Sequence, residues 1–262
     1  MHSGLREISN GQKGPKMDTL LSIGLSHQVA RRRQMDVIAN NIANMSTTAF
    51  KRENVMFGEY IKEASGGASK NIRQISYVQD FGISRNMADG RLEHSGNILD
   101  IALNGDGMFQ VKRENGDIAF TRNGHLAFSP DSTLITSTGQ EILDNAGRAI
   151  KIPPNITDLK FASDGTISSP STGQIAKLGV VTFEDVTKLK KIGNNMFSAD
   201  TPTTQSTDFH IMQGVTESSN IQPVVEITRM IEVSRAYMST AKLMDKLQES
   251  KSRALNQLAK VG

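Results

Sequence analysis

The sequence predicts an α+β protein: long N- and C-terminal helices that pair as a coiled-coil-like core, with a central antiparallel all-β domain. Three observations carry this reading. Apolar residues recur at alternating three- and four-residue intervals near both ends. The middle switches to two-residue alternation. Asn-Gly and Asp-Gly turn signals punctuate that middle part.

Residues 1–16 (MHSGLREISNGQKGPK) are polar and rich in Gly, Ser, Lys and Asn, and read as a disordered leader or an expression remnant. Residues 17–45 form the N-terminal helix. Its seam runs Leu21, Leu25, Gln28, Arg32, Met35, Ala39 and Ile42, and Asp18 is placed to cap its start. Asn40, Asn41 and Asn44, followed by Ser46, Thr47 and Thr48, mark its end, because short polar side chains compete for backbone hydrogen bonds. These asparagines either cap the helix or cross-link subunits through their amides. Residues 46–84, with Gly66 and Gly67, read as an extended or hairpin linker.

Residues 85–215 form the β domain. Leu99, Ile101 and Leu103 alternate with polar or small residues, as do Phe109 and Val111, Ile118 and Phe120, and Leu126 and Phe128. Asn104-Gly105-Asp106-Gly107, Asn115-Gly116-Asp117, Asn123-Gly124 and Asp164-Gly165 separate these runs as tight turns. Residues 216–262 return to the helical period. The seam is Ile227, Met230, Ser234, Tyr237, Ala241, Met244, Gln248, Lys251, Leu255 and Leu258, and Pro223 stands where a missing N–H does no harm.

An isolated helix of this kind is marginal in water. Each seam therefore needs a partner, either the other terminal helix or a neighbouring subunit. Both seams carry polar breaks, at Gln28, Arg32, Ser234, Gln248 and Lys251, which suits a tube of many partners better than a two-stranded coil. The free chain is expected to have a folded β core and mobile ends, since unpaired seams leave their ordering entropy uncompensated.

The 262 residues include no Cys and no Trp, and aromatics make up 5%. The absence of Cys excludes disulfides, thiolate metal sites and cysteine nucleophiles. A net charge of +3 gives no case for nucleic acid, and Arg31-Arg32-Arg33 reads as a solvated helix face. No run is long and apolar enough for a transmembrane segment, and the first residues lack the apolar stretch of a cleaved signal. The five His residues form no ligand pair, so neither metal nor cofactor is expected. Asp100, His125 and a Ser lack a nucleophile-elbow context. Glu93, Asp106 and Asp117 belong to turn chemistry rather than to a pair of glycan-cleaving carboxylates. No catalytic residue is assigned, and the chain is not expected to be an enzyme.

Two stretches carry a resemblance. MDVIANNIANMSTTAFKRENVMF (Met35 to Phe57) resembles the N-terminal signature of bacterial flagellar axial proteins, an A-N-N-[IL]-A-N core followed by Ser/Thr, an aromatic and a Lys. ESSNIQPVVEITRMIEVSRAYMSTAKLM (Glu217 to Met244) resembles their C-terminal signature. SGNILDIALNGDGMFQV and FTRNGHLAF look like the segment shared by rod and hook proteins. The chain looks most like the proximal-rod member, with the distal-rod member the nearest alternative. Ala49 stands where that family often has Gly, and Met108 where Phe is usual. If position 49 needs a positive φ, Ala costs about 1 kcal/mol there.

The resemblance implies a non-catalytic structural subunit of the rod, the drive shaft of the flagellar motor, in the periplasmic part of the basal body. It implies export through the flagellar type III apparatus and polymerisation through the terminal helices, which form an inner tube with the β domain outward. Partners are then copies of itself, other rod proteins and the export apparatus, with the MS ring and the P ring as further candidates. The expected subunit-interface residues are Leu21, Leu25, Met35, Ala39, Asn40, Asn41, Ile42, Asn44, Ile227, Met230, Tyr237, Ala241 and Met244. The competing reading is a peptidoglycan-acting or glycan-binding accessory protein of the same apparatus.

Overall fold

Two helices frame the chain. In the computed structural model, which describes residues 17–64, 73–154, 156 and 158–259, α1 spans Met17–Ala43 and α2 spans Pro223–Leu258. The leader 1–16 and the Gly66-Gly67 pair lie outside the described residues. Asp18 falls within the first turn of α1 rather than ahead of it. Pro223 opens α2, where its fixed φ suits the first helical position.

The chain folds as two compact units. The first takes the residues up to Val37, Val55–Ile83 and those from Thr228 onward. It holds most of both helices and a two-stranded ribbon of β1 (Glu53–Ala64) and β2 (Arg73–Arg85). Here α1 and α2 meet: a Cβ placed on Gly24 would run into the Met244 thioether. A glycine thus sits inside a helix, at a usual cost of about 1 kcal/mol, with the flexible end of the Met244 side chain packed over it.

The second unit, Ile38–Asn54 with Ser84–Ile227, is built on antiparallel strands. They begin with β3 (Leu92–His94), β4 (Ile101–Gly105), β5 (Met108–Lys112) and β6 (Ile118–Thr121); later strands are given by their residues. β5 pairs with β6, with Val180–Thr182 and with Glu141–Ile142, at the centre of a nine-stranded sheet. β4 pairs with Phe209–Gln213 and β3 with Val215–Glu217, so the end of the β region returns to its beginning. Gly105 makes the tight exit from β4, with φ +101° and Asp208 O only 2.7 Å from where a Cβ would stand.

Alternation sorts the side chains into two cores. Ile101, Leu103, Phe109, Val111, Leu134 and Ile167 belong to the larger one. Met108, Phe120, Val181, Phe183, Leu189 and Phe197 form the smaller, where Phe120 and Phe183 meet edge to face at 4.8 Å between centroids. Met108 is buried in that cluster and fills a place its unbranched chain can adapt to.

The helices hold the three–four repeat, and most of the expected seam residues among those described are sheltered: Leu21, Gln28, Met35 and Ile42 on α1, and Met230, Ser234, Tyr237, Ala241, Met244 and Lys251 on α2. On α1 the sheltered side includes Leu21, Gly24, Gln28, Arg31, Met35 and Ile38, whereas Leu25, Arg32 and Ala39 are exposed. On α2 it includes Glu226, Met230, Val233, Tyr237, Thr240, Met244 and Leu247, whereas Ile227 and Gln248 are exposed. The sheltered face of each helix is broader than one residue per turn, so it takes in most of the expected seam together with neighbours such as Gly24, Ile38 and Val233.

Candidate functional site

Within the second unit, the last turn of α1 and the first turn of α2 are held by a buried polar clasp. Asn41 is fully buried (0% exposed). Its Nδ2 donates to Glu53 O at 2.8 Å and its Oδ1 accepts from Glu53 N at 3.0 Å, so the amide pairs with that backbone as a strand would. The same Nδ2 lies 3.3 Å from Glu226 Oε2. Asn44 instead folds back on its own helix, donating from Nδ2 to Asn40 O at 2.9 Å and accepting from Thr47 Oγ1. Capping is thus the work of Asn44, and tertiary bridging that of Asn41.

The chain then reverses. Ala49 has φ +57°, the left-handed region that costs an L-residue about 1 kcal/mol, and its N–H donates to Glu217 O at 2.8 Å. Position 49 therefore does need a positive φ. Phe50 is buried beneath the Lys191 ammonium, which lies 4.4 Å from the ring centroid.

Charges close the clasp. Lys51 Nζ donates to Glu217 Oε1 at 2.6 Å and to Ala88 O at 2.8 Å, and both side chains of this ion pair are 1% exposed. Burial pushes the Lys51 ammonium below its usual value, while Glu217 pulls the other way. Gly90 N also donates to Glu217 Oε1, and Arg122 stands 3.8 Å from Oε2 while donating to Asp89 and to the Leu103 and Gly105 carbonyls. Arg52 Nε pairs with Glu226 Oε1 at 2.6 Å. Glu53 takes Arg85 at 3.1 Å and Lys191 at 3.2 Å. Asn220 accepts from Arg52 N and donates to the carbonyls of Asn86 and Ala88, each at 2.8 Å.

The stretches 41–53, 85–90, 103–105, 122, 191 and 217–226 are thereby tied by bonds spanning up to 185 positions. This arrangement fixes chain direction.

Of the expected interface residues, Leu25, Ala39, Asn40 and Ile227 are exposed. Leu21, Met35, Ile42, Asn44, Met230, Tyr237, Ala241 and Met244 are half-buried, and Asn41 is enclosed by its own chain. The structure brings Asp100 and His125 together, Oδ1 to Nδ1 at 2.5 Å, with Asn97 as the third member. Among the described residues no hydroxyl is hydrogen-bonded to that ring, and no group of three His, Cys, Asp or Glu could hold a metal ion. No described helix is long and apolar enough to cross a membrane.

Sequence reasoning missed Arg52, Glu53, Arg122, Glu217, Asn220 and Glu226. One signal was there to use: most of these charges sit within or beside the two signature stretches, next to residues destined for burial, where a charge must be paired.

Three family models match. The Flagella basal body rod protein model covers residues 21–51, the Flagellar hook protein FlgE/F/G D1 domain covers 102–169, and the Flagellar basal body rod FlgEFG protein C-terminal model covers 212–258. Asn41, Phe50 and Lys51 fall in the first of these, and Glu217, Asn220 and Glu226 in the last. The flagellar basal-body rod protein FlgF of Caulobacter vibrioides is 38% identical over 94% of this chain and 100% of its own. That of Mesorhizobium japonicum is 31% identical over 92% and 98%. FlgG of Bacillus subtilis is 30% identical over 84% and 92%. With the helices, the β domain and both signature stretches in matching order, the chain belongs to the flagellar basal-body rod proteins, structural components of the basal body.

Proposed function

We propose that this chain polymerises into the rod through the outer faces of its terminal helices, which pair with each other as an antiparallel coiled coil and transmit torque through side-to-side packing with neighbours. A second apolar stripe supports this reading. Ile227, Ile231 (48% exposed) and Met238 follow one another along the outer side of α2, and Leu25 (56%) and Val29 (62%) along that of α1. Stripes of this kind on a helix already packed on one side call for a further partner. Each buried side chain contributes roughly 1.5–3 kcal/mol, so a few per contact hold a filament when every subunit repeats them. Leu25, Ala39, Asn40 and Ile227 then face neighbours, while the half-buried members line the pairing of the two helices.

The partners in this reading are other copies of the chain, other rod proteins, the export apparatus and, at the ends of the rod, the MS ring and P ring. Light scattering against concentration tests it. Ile231→Lys should abolish concentration-dependent assembly while leaving the stability of the single chain within about 0.5 kcal/mol. Unchanged assembly, or release of muropeptides by the purified protein, would refute the structural reading.

A further inference from the structure

A half-open cleft of about 410 Å³ lies wholly within the second unit and takes no part in the clasp. Four pieces of chain meet there: the turns at 145 and 163–164, and the stretches 177–180 and 205–210. Its volume is in the range that admits a small molecule. Leu178 and Val180, both buried, give it an apolar lining. Phe209 is half-buried and shares its ring between the larger core and the cleft.

The polar groups around the cleft fall into two sets. Those of the first set already have partners. Asn145 N donates to Lys177 O, Leu178 N to Gly165 O, Ser206 N to Val180 O, and Ile211 N to Ser163 O. Gln205 Nε2 donates to Asn145 O and Ser206 Oγ to Asp106 O. Lys177 and Asp164, a cation and an anion, face each other at 3.2 Å. The second set is the side chains of Asn145, Ser163, Thr207 and His210, which are exposed and have no hydrogen-bond partner among the described residues.

This division selects a ligand class. A peptide that adds a strand needs unpaired backbone N–H and C=O groups, and those named above are taken by the fold. A phosphate or a carboxylate needs a cation, and Lys177 already has its anion. Among the described residues no group of three His, Cys, Asp or Glu could hold a metal ion. Amide, hydroxyl and imidazole groups remain, and each set of them both donates and accepts, as sugar hydroxyls do. An aromatic ring beside them offers an apolar surface to the C–H face of a sugar. We propose that this cleft binds a neutral saccharide of one or two rings, held by Asn145, Ser163, Thr207 and His210 against Phe209. None of these residues belongs to a helix, so saccharide binding and packing through the helices use different residues.

Saturation-transfer NMR on dilute full-length protein tests the site, with cellobiose, maltose and di-N-acetylchitobiose as probes and glycerol as the control. At least one disaccharide should give a saturable signal with a Kd of about 1 mM, the weak binding expected of a few hydrogen bonds in an open cleft, and glycerol should give none. Asn145→Ala combined with His210→Ala, both at exposed positions, should weaken that binding at least about fivefold with the urea midpoint unchanged. Thr207→Phe, which crowds the rim, should weaken it by a second route. His94→Ala, an exposed histidine outside the cleft, should leave it as it is. No saturable signal from any of the three sugars at about 50 mM, an equal response to glycerol, or binding that both cleft variants leave unchanged overturns the site. The measurement on a dilute chain reads the cleft whether or not the protein assembles.

Discussion

Polar side chains do different work in the clasp and in the turns of the β unit, although the chemistry is the same. In the turns, Asp164 accepts from Thr166 N at 3.1 Å and Asp185 from Thr187 N at 2.9 Å, two positions along and in contact with solvent. In the clasp, Lys51 and Glu217 lie 166 positions apart and out of reach of water. A turn bond stabilises a conformation that neighbouring residues already favour. A clasp bond satisfies a charge that would otherwise be stranded in the interior, and it joins parts of the chain that nothing local would bring together. Distance in sequence and access to water, rather than bond length, set what each bond is worth.

Glu217 puts this difference to its most severe test. Glu217→Ala strands Lys51 and removes a counter-charge from Arg122, so it should cost about 3–5 kcal/mol, read as a lower urea midpoint with an unchanged slope. Asp164→Ala, which loses a turn bond and the half-exposed pair with Lys177, should cost about 1 kcal/mol or less. Equal costs would break the distinction. Replacing the buried pair together, Lys51→Met with Glu217→Leu, should recover most of the loss, because an apolar pair of similar volume leaves no stranded charge.

The same distinction explains what could be read in advance. The β strands around Leu103, Phe109, Val111 and Phe120 were legible from their period of two, but not that both faces are buried, with Phe120 in the second core while its expected partner Ile118 is exposed. The Asn-Gly and Asp-Gly turns were legible because their chemistry is local. The existence of both helices was legible too, and so was most of the sheltered face, although Leu25 and Ile227 are exposed where the neighbouring Gly24 and Glu226 are sheltered. The clasp was least legible. Nothing near Lys51 in sequence announces Glu217, and periodicity carries no information about charges paired across the whole chain.

Ala49 offers a smaller test on the clasp side. The residue is buried, left-handed and bonded to the partner segment through its N–H, so its own methyl works against the position it holds. Ala49→Gly removes the backbone strain and keeps that hydrogen bond, while adding freedom to the unfolded chain. The net gain should be about 0.5 kcal/mol, measured as a higher urea midpoint. Ala→Gly is destabilising at ordinary positions. A loss of stability here would show that the clasp does not depend on the reversal at residue 49.

Asp144 lies between the two classes, and its pH dependence places it. Burial raises its carboxyl, but the Arg148 and Ala146 N–H groups and the Arg148 guanidinium outweigh that and bring it below the usual 3.8. A carboxyl lowered by folding contributes stability that is fully present above 3.8 and is lost as the pH falls through the folded value. Asp144→Asn should therefore be less stable than the parent at pH 6, and the difference should close as the pH falls below 3.8 through the lowered folded value. Asp164, lowered chiefly by Thr166 and Lys177 and in contact with water, should show the same closing on a smaller scale in Asp164→Asn, and salt should shrink it further by screening Lys177. A salt-sensitive Asp144 would move it to the exposed class; a salt-insensitive one shows that three bonds within one turn can shelter a charge without any partner from across the chain.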